Sequence, residues 1–326
     1  MFDVVSLGEA MLRLVPPNYE RIEQANSFKV TIGGAELNVV ADLSRLGIRT
    51  AWISKLPLNP MGRMIANKAR EQGVDTSHII WSNAGRAGLY FVEFGSTPRA
   101  TSVIYDRGNS TASMLMPGEV KWDEVFEDSK VFHTSGITPA LSRGCREVTM
   151  EAFESARRAG CKTSFDLNYR AQLWPPAEAK ECYEQLLDKV DILITTQFDA
   201  EEVLGYTGTY GEIAKQLSDD FGIPIIAITL RRVISVLRGT WTSLVYADGK
   251  FYTDDETEIE IVDRFGAGDA FSAGFIYGYL RNGVEQGQKI GNAIASLKHS
   301  VPGDMNWITM EDIEKYLKSK DFRVQR

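Results

Sequence analysis

The sequence predicts an α/β protein built on a doubly wound, mostly parallel sheet, with a small β-sheet standing apart from it. Short β-type runs alternate with helical patterns through most of the chain, the signature of parallel strands joined by helical crossovers. Two stretches break that alternation with paired β-runs and no helix between them. A length of 326 residues accommodates one large α/β domain with an insertion.

Taken in order, the expected sheet strands are residues 3–8, 50–55, 130–135, 162–167, 191–196 and 224–230. Helices fall between them. Over residues 36–46, Leu37, Val40, Leu43 and Leu46 keep helical spacing, and Gly47 stands where a helix C-terminus needs a left-handed residue. Residues 150–159 and 177–187 read the same way, and the apolar run 270–280 predicts a buried helix. The exceptions are 11–15 with 27–32, and 88–94 with 101–106, which alternate apolar and polar residues as hairpins do. Joined into one sheet, these inserts form a lid over the carboxyl edge of the parallel sheet, where ligands bind in open α/β folds. The domain division is therefore 1–10, 36–85 and 113–326 for the α/β body, and 11–35 and 86–112 for the lid.

Composition excludes several classes. Apolar content of 44% and charged content of 25% are those of a globular protein. A net charge of −8 opposes general nucleic-acid or anionic-membrane binding. The cysteines, Cys145, Cys161 and Cys182, have neither metal-type nor disulfide-framework spacing, which fits a reducing compartment. No signal-peptide pattern and no run near the ~20 apolar residues of a membrane span is present, so the expectation is a cytoplasmic protein.

One segment carries most of the chemistry. The run 258–262 leads into Asp263-Arg-Phe-Gly-Ala-Gly-Asp269 and then the apolar helix. Gly266 and Gly268 allow a tight turn that brings bare N–H groups to a ligand. Unpaired donors at a helix N-terminus favour an anion such as a phosphoryl group in transfer. Asp269 projects from the same turn and supplies a general base. In isolation Gly-x-Gly-Asp is an ordinary turn; its position between a strand and a buried helix gives it weight.

Other groups join it. In Thr31-Ile-Gly33-Gly34-Ala-Glu-Leu-Asn38 a glycine pair precedes a helix, so backbone can approach a polyhydroxy ligand while Asn38 adds an amide. Asp166, Asn168 and Arg170 point to one side if their strand continues, a set suited to carboxylate or phosphate. Tyr90, Tyr105 and Arg107 lie on the expected lid strands. His78, His133 and His299 lack ligand-type spacing and read as structural. The absence of Gly-x-x-x-x-Gly-Lys-Ser/Thr, and of Gly-x-Gly-x-x-Gly after the first strand, excludes a P-loop enzyme and a dinucleotide dehydrogenase.

These segments resemble the ribokinase-like (PfkB-type) sugar kinases. Asp263–Asp269 resembles that family's C-terminal signature, and Ile32-Gly-Gly-Ala-Glu-Leu-Asn38 its N-terminal one, with the likeness covering essentially the whole chain. Ser135-Gly-Ile-Thr-Pro-Ala-Leu-Ser142, Asp166-Leu-Asn-Tyr-Arg170 with Leu173-Trp174, Ile104-Tyr-Asp-Arg107, Asp263-Arg264 and Leu297-Lys-His-Ser-Val-Pro-Gly-Asp304 resemble the subgroup that acts on 2-keto-3-deoxygluconate. The resemblance implies a three-layer sandwich and transfer of the γ-phosphoryl group of ATP, with Mg²⁺, to the terminal hydroxyl of a 2-keto-3-deoxy sugar acid. It implies Asp269 as base and Gly266, Ala267 and Gly268 as anion hole. Gly33, Gly34, Asn38, Tyr90, Tyr105, Arg107, Asp166, Asn168 and Arg170 would hold the sugar acid. Thr196, Thr229, Arg231, Gly266, Gly268 and Asn292 would hold the nucleotide, and Asp199 the metal.

Two departures stand out. The family's Asn-x-x-Glu aligns with Thr196-Gln-Phe-Asp199, and its Gly-x-x-Gly loop with Arg231-Arg-Val-Ile234. The nucleotide loop must then differ in shape, with Arg231 or Arg232 against phosphate. A related sugar acid such as the galacto epimer, or fructose, is the alternative substrate. A sugar-acid-binding protein without catalysis is the alternative of another class. Apolar lid residues Leu89, Phe91, Val103 and Ile104 predict a homodimer through the lid.

Overall fold

The computed structural model describes residues 1–318, and their strands run, in chain order, β1 (Val4–Leu7), β2 (Met11–Val15), β3 (Lys29–Gly33), β4 (Thr50–Ile53), β5 (Lys55–Pro57), β6 (Ile80–Ser82), β7 (Leu89–Glu93), β8 (Ser102–Asp106), β9 (Val131–Ser135), β10 (Lys162–Asp166), β11 (Ile192–Thr196), β12 (Ile225–Ser235), β13 (Arg238–Ala247), β14 (Lys250–Thr253) and β15 (Thr257–Glu260). The main sheet has the order β14-β13-β12-β11-β10-β9-β1-β4, with β15 pairing β13 off that path. From β4 to β12 every pair is parallel; β13, β14 and β15 add antiparallel.

Alternate residues on the parallel strands feed two cores, which is why helices cover both faces. Val5, Leu7, Phe132, Phe165, Leu193 and Ile226 enter one core with the helices Arg143–Arg158, Pro176–Leu187 and Tyr210–Phe221. Phe132, Phe153, Phe165 and Tyr183 make successive edge-to-face contacts there, with centroids 5.4, 5.8 and 5.5 Å apart. Val4, Trp52 and Val131 face the other side, against the helices Ala35–Arg45 and Pro60–Glu71, while Ile192, Ile194 and Ile225 meet Ala267–Asn282. The last of these helices is apolar nearly all round because Val284–Lys298 packs its outer side through Gly274 and Gly291.

The two paired β-stretches form one four-stranded sheet, β3-β2-β7-β8, in which β2 and β7 are parallel and each hairpin is antiparallel. Its two faces differ. Met11, Tyr90 and Val92 are buried on one, and the register aligns Val30, Leu14, Phe91 and Ile104 in a row across the other.

Three expectations need correction. β10 ends at Asp166, and Asn168 adopts a left-handed φ of 39°, so Asp166, Asn168 and Arg170 do not share a side by strand alternation. The helix expected over 150–159 begins at Arg143, capped by the Ser142 hydroxyl accepting from the Cys145 N–H. Its first turn carries Gly144, Arg146 and Glu147, too polar to extend the apolar pattern. β12 runs on to Ser235 through Arg231 and Arg232, where both faces are half-buried or open, and pairs with β13 over ten residues.

Candidate active site

Asp166 and Thr196 end their strands, and Thr229 is the last residue of β12 paired parallel to β11, so all three stand on the carboxyl edge of the parallel sheet. A cleft of about 730 Å³ opens there. It brings together Asp166, Asn168, Arg170, Thr196, Asp199, Thr229, Arg231 and the turn Gly266-Ala267-Gly268-Asp269. Each βα connection delivers its side chain at one rim because parallel strands all end on the same edge.

The turn has two glycines for two different reasons. Gly266 caps the Ala267–Asn282 helix at φ 80°, and a Cβ there would lie 2.0 Å from the Asp304 carbonyl oxygen. Gly268 meets nothing within 4 Å, so its side of the helix start is open. Gly268 thus lines the cleft without a side chain over the helix start, while the Ala267 N–H donates to the Arg264 carbonyl at 3.4 Å.

Asp269 accepts a hydrogen bond from Asn38 Nδ2 at 2.7 Å. Burial pushes its pKa up to about 7, Glu36 and Asp304 add to the push, and Asn38 and Arg170 oppose it. The side chain still keeps an opening to the cleft, so the push is strongest when a ligand displaces water from it. Asp166 is raised by burial and by Asp269 and Asp199. Asp199 is raised by burial, with Arg170 and the Thr196 hydrogen bond opposing. Arg170 is exposed, donates Nη1 to the Tyr169 carbonyl at 3.0 Å, and favours the ionised form of all three carboxyls.

Several expected ligand contacts are occupied within the chain. Asn38 gives its amide to Asp269 instead of projecting as a free sugar contact. Tyr90 donates to Asp304 Oδ1 at 2.5 Å and stacks on Tyr105 at 5.7 Å. Gly33 and Gly34 are required by packing, since Cβ atoms there would meet the Tyr90 hydroxyl and the Glu9 carbonyl. Arg107 gives Nε and Nη2 to Glu9 and lies 5.8 Å from the Tyr105 ring centre, leaving Nη1. None of these residues is among those that line the cleft. Thr196 caps the next turn by accepting from the Asp199 N–H at 3.0 Å, and Thr229 donates to the Thr195 carbonyl at 3.4 Å. Asn292 sits on the helix Val284–Lys298, donates to Asp254 Oδ2 at 3.1 Å, and is not among the residues that line the cleft.

Other residues escaped the sequence reading. His299 lines the cleft, its Nδ1 2.7 Å from the Ala295 carbonyl, and burial lowers its pKa to about 4. Arg264 and Phe265 line it too, with Arg264 donating to the Val236 carbonyl at 2.8 Å. Beneath the turn, Arg13 pairs with Asp263 at 2.8 Å and Asp304 at 2.6 Å, stacked on Phe265 at 4.8 Å. Glu36 is buried and accepts from the Ser135 N–H and hydroxyl and from Thr138. Burial raises its pKa. Lys298 is fully buried, which lowers its pKa, while Asp263, Asp304 and Asp42 resist that shift.

An open α/β sheet with a glycine turn, a raised carboxyl and a helix start at its carboxyl edge suits phosphoryl transfer. The pfkB family carbohydrate kinase model matches residues 1–310. The chain is 39% identical over 325 residues to a 2-dehydro-3-deoxygalactonokinase of Haloferax volcanii, covering 99% of both. It is 30% identical to a 2-dehydro-3-deoxygluconokinase of Bacillus subtilis, covering 98% of this chain and 96% of that one. A crystal structure of a 2-dehydro-3-deoxygluconokinase from Thermotoga maritima superposes with a TM-score of 0.94 at 37% identity, covering 97% and 98% of the two chains. The chain belongs to the pfkB family of carbohydrate kinases, has the ribokinase-like fold, and is a phosphotransferase acting on a sugar hydroxyl.

Proposed function

We propose that this kinase transfers the γ-phosphoryl group of ATP to the terminal hydroxyl of 2-keto-3-deoxygluconate. The galacto epimer is the second reading, favoured by the 39% identity to the Haloferax protein. The observation that carries the chemistry is Asp269, a carboxyl near pKa 7 held by Asn38 beside the open helix start at Gly268. The substrate class rests on the names of the relatives, whose 2-dehydro-3-deoxy acids are the same compounds as 2-keto-3-deoxy acids.

In this mechanism Asp269 takes the proton of the terminal hydroxyl as its oxygen attacks the γ-phosphorus, and the bond from that phosphorus to the β–γ bridging oxygen breaks, releasing ADP. The N–H groups of Gly266, Ala267 and Gly268 receive the charge on the transferring group. Asp166 and Asp199 fit a divalent cation: they face one cleft and Asp199 raises Asp166, a repulsion that a cation relieves. Mg²⁺ is commonly bound through one or two carboxylates with substrate phosphates. When bound, Mg²⁺ neutralises phosphate charge.

Arg231 and Arg264 repel one another at the cleft, and this supports nucleotide phosphate between them in place of a glycine loop. The small sheet serves as the lid, with Tyr105, Arg107 and Arg170 on the sugar acid. A neutral sugar such as fructose needs no such guanidinium groups. A compartment such as the cytoplasm, where ATP is present, fits this reading. Measuring kcat/KM by coupled ADP release on both epimers and on fructose tests it. A sugar acid should exceed fructose by at least tenfold, and equal rates would contradict the assignment.

A further inference from the structure

Lys298, in the last turn of Val284–Lys298, is fully buried. An ammonium group out of water is costly unless its donors are satisfied. Here Nζ donates to the Val301 carbonyl at 3.0 Å and to the Asp263 carbonyl at 3.4 Å. Asp263 opens the anion-hole turn, and every polar part of it is held. Its N–H donates to the His299 carbonyl. Its carboxylate accepts from Arg13 and from the N–H groups of Phe265 and Gly303. The carbonyl is held by Lys298.

Val301 begins the turn that leads to Asp304, whose carbonyl abuts Gly266. The lysine thus joins the residue where the anion-hole turn starts to the segment against which its first glycine is wedged. Lys298 touches neither the cleft nor any residue assigned to substrate.

We propose that Lys298 is a positioning residue for phosphoryl transfer, its ammonium cross-linking the Asp263 and Val301 carbonyls so that the Gly266–Gly268 N–H groups point at the transferring group. This rests on the reading of that turn as the anion hole. A misplacement of about 1 Å at a distance from the chemistry costs roughly 10²-fold in rate, so the effect belongs in kcat, with sugar binding spared.

The test uses the full-length enzyme with ATP, Mg²⁺ and the better of the two epimers. Lys298→Met keeps the stem and removes the charge; Lys298→Ala opens a space that an ammonium ion fits. Expected are a kcat lower by roughly 10²-fold in each, sugar KM within about threefold, and recovery of Lys298→Ala by ammonium chloride but not by the bulkier tetramethylammonium chloride. A folded Lys298→Met with kcat within about threefold of wild type overturns the proposal. So does a loss of kcat that ammonium leaves unchanged, or failure of both variants to fold even in ammonium, which would place the lysine's role in the fold alone. Asp269→Asn separates this from the underlying reading. If Asp269→Asn is dead and Lys298→Met is normal, only the lysine proposal fails. If Asp269→Asn is active, or wild type turns over neither epimer, the site assignment fails and takes this proposal with it.

Discussion

As the proposed base, Asp269 would act only when ionised, and a pKa near 7 places that change within the physiological range. Rate should therefore fall as pH drops below about 7 and level off above it. The Asn38 N–H bond stabilises the ionised form. Asn38→Leu should then move the acid limb of the kcat/KM profile to higher pH, and an unmoved limb would separate Asn38 from the base. Asp269→Asn should lower kcat by at least ~10²-fold with sugar-acid affinity within a few-fold. Arg107→Lys should raise KM for the acid roughly ten- to 150-fold, the worth of a charged hydrogen bond, with little change for a neutral analogue. Equal weakening of both would mean that Arg107 serves Glu9 and the lid alone. Arg170, beside Asp166 and Asp269, should lower kcat as well when changed to Lys. The carboxyl at the helix start was legible because turn, glycines and carboxyl are contiguous. Its partner was legible as a residue but not in its role, because Asn38 and Asp269 are 231 positions apart and neither carries a local sign of the other.

At the scale of elements, the two glycines of the turn separate stability from catalysis. Gly266→Ala imposes a left-handed φ on a side chain, which costs about 1–3 kcal/mol, and adds a clash with the Asp304 carbonyl. Gly268→Ala meets open space and should melt like wild type while losing kcat; similar melting losses in both would refute this division. Arg13 is the buried counter-ion of Asp263 and Asp304. Arg13→Met removes the ion-paired partner of both carboxylates and should cost about 3–5 kcal/mol in chemical denaturation. The sequence makes this triad invisible, because its members are 250 and 291 residues apart. The parallel strands were legible because each is a short apolar run between turn residues. The antiparallel end was not: β12 continues through Arg231 and Arg232, whose polarity marks a loop until β13 is seen to pair with it. Arg170 was found for a wrong reason, strand alternation, and reaches the cleft because the left-handed Asn168 turns the chain after β10.

Across the whole molecule, the small sheet packs Tyr90 and Val92 inward and turns the row Val30, Leu14, Phe91 and Ile104 outward, with Val30 44% and Ile104 55% exposed. Leu89 and Val103, expected to be part of the open surface, pack against the protein's own cores. The remaining row suits a second copy of the same sheet, and light scattering at micromolar concentration should give at least a dimer; a stable monomer would contradict this. No helix among the described residues is long and apolar enough to cross a membrane. The cleft with its carboxyls and arginines, the glycine turn and the named relatives support the proposal that this chain phosphorylates a 2-keto-3-deoxy sugar acid. Its most direct test is ADP release with saturating MgATP over a panel of 2-keto-3-deoxygluconate, its galacto epimer and fructose. The expected result is turnover of a sugar acid that Asp269→Asn abolishes. Sugar-acid binding without turnover, or faster turnover of fructose, would contradict it.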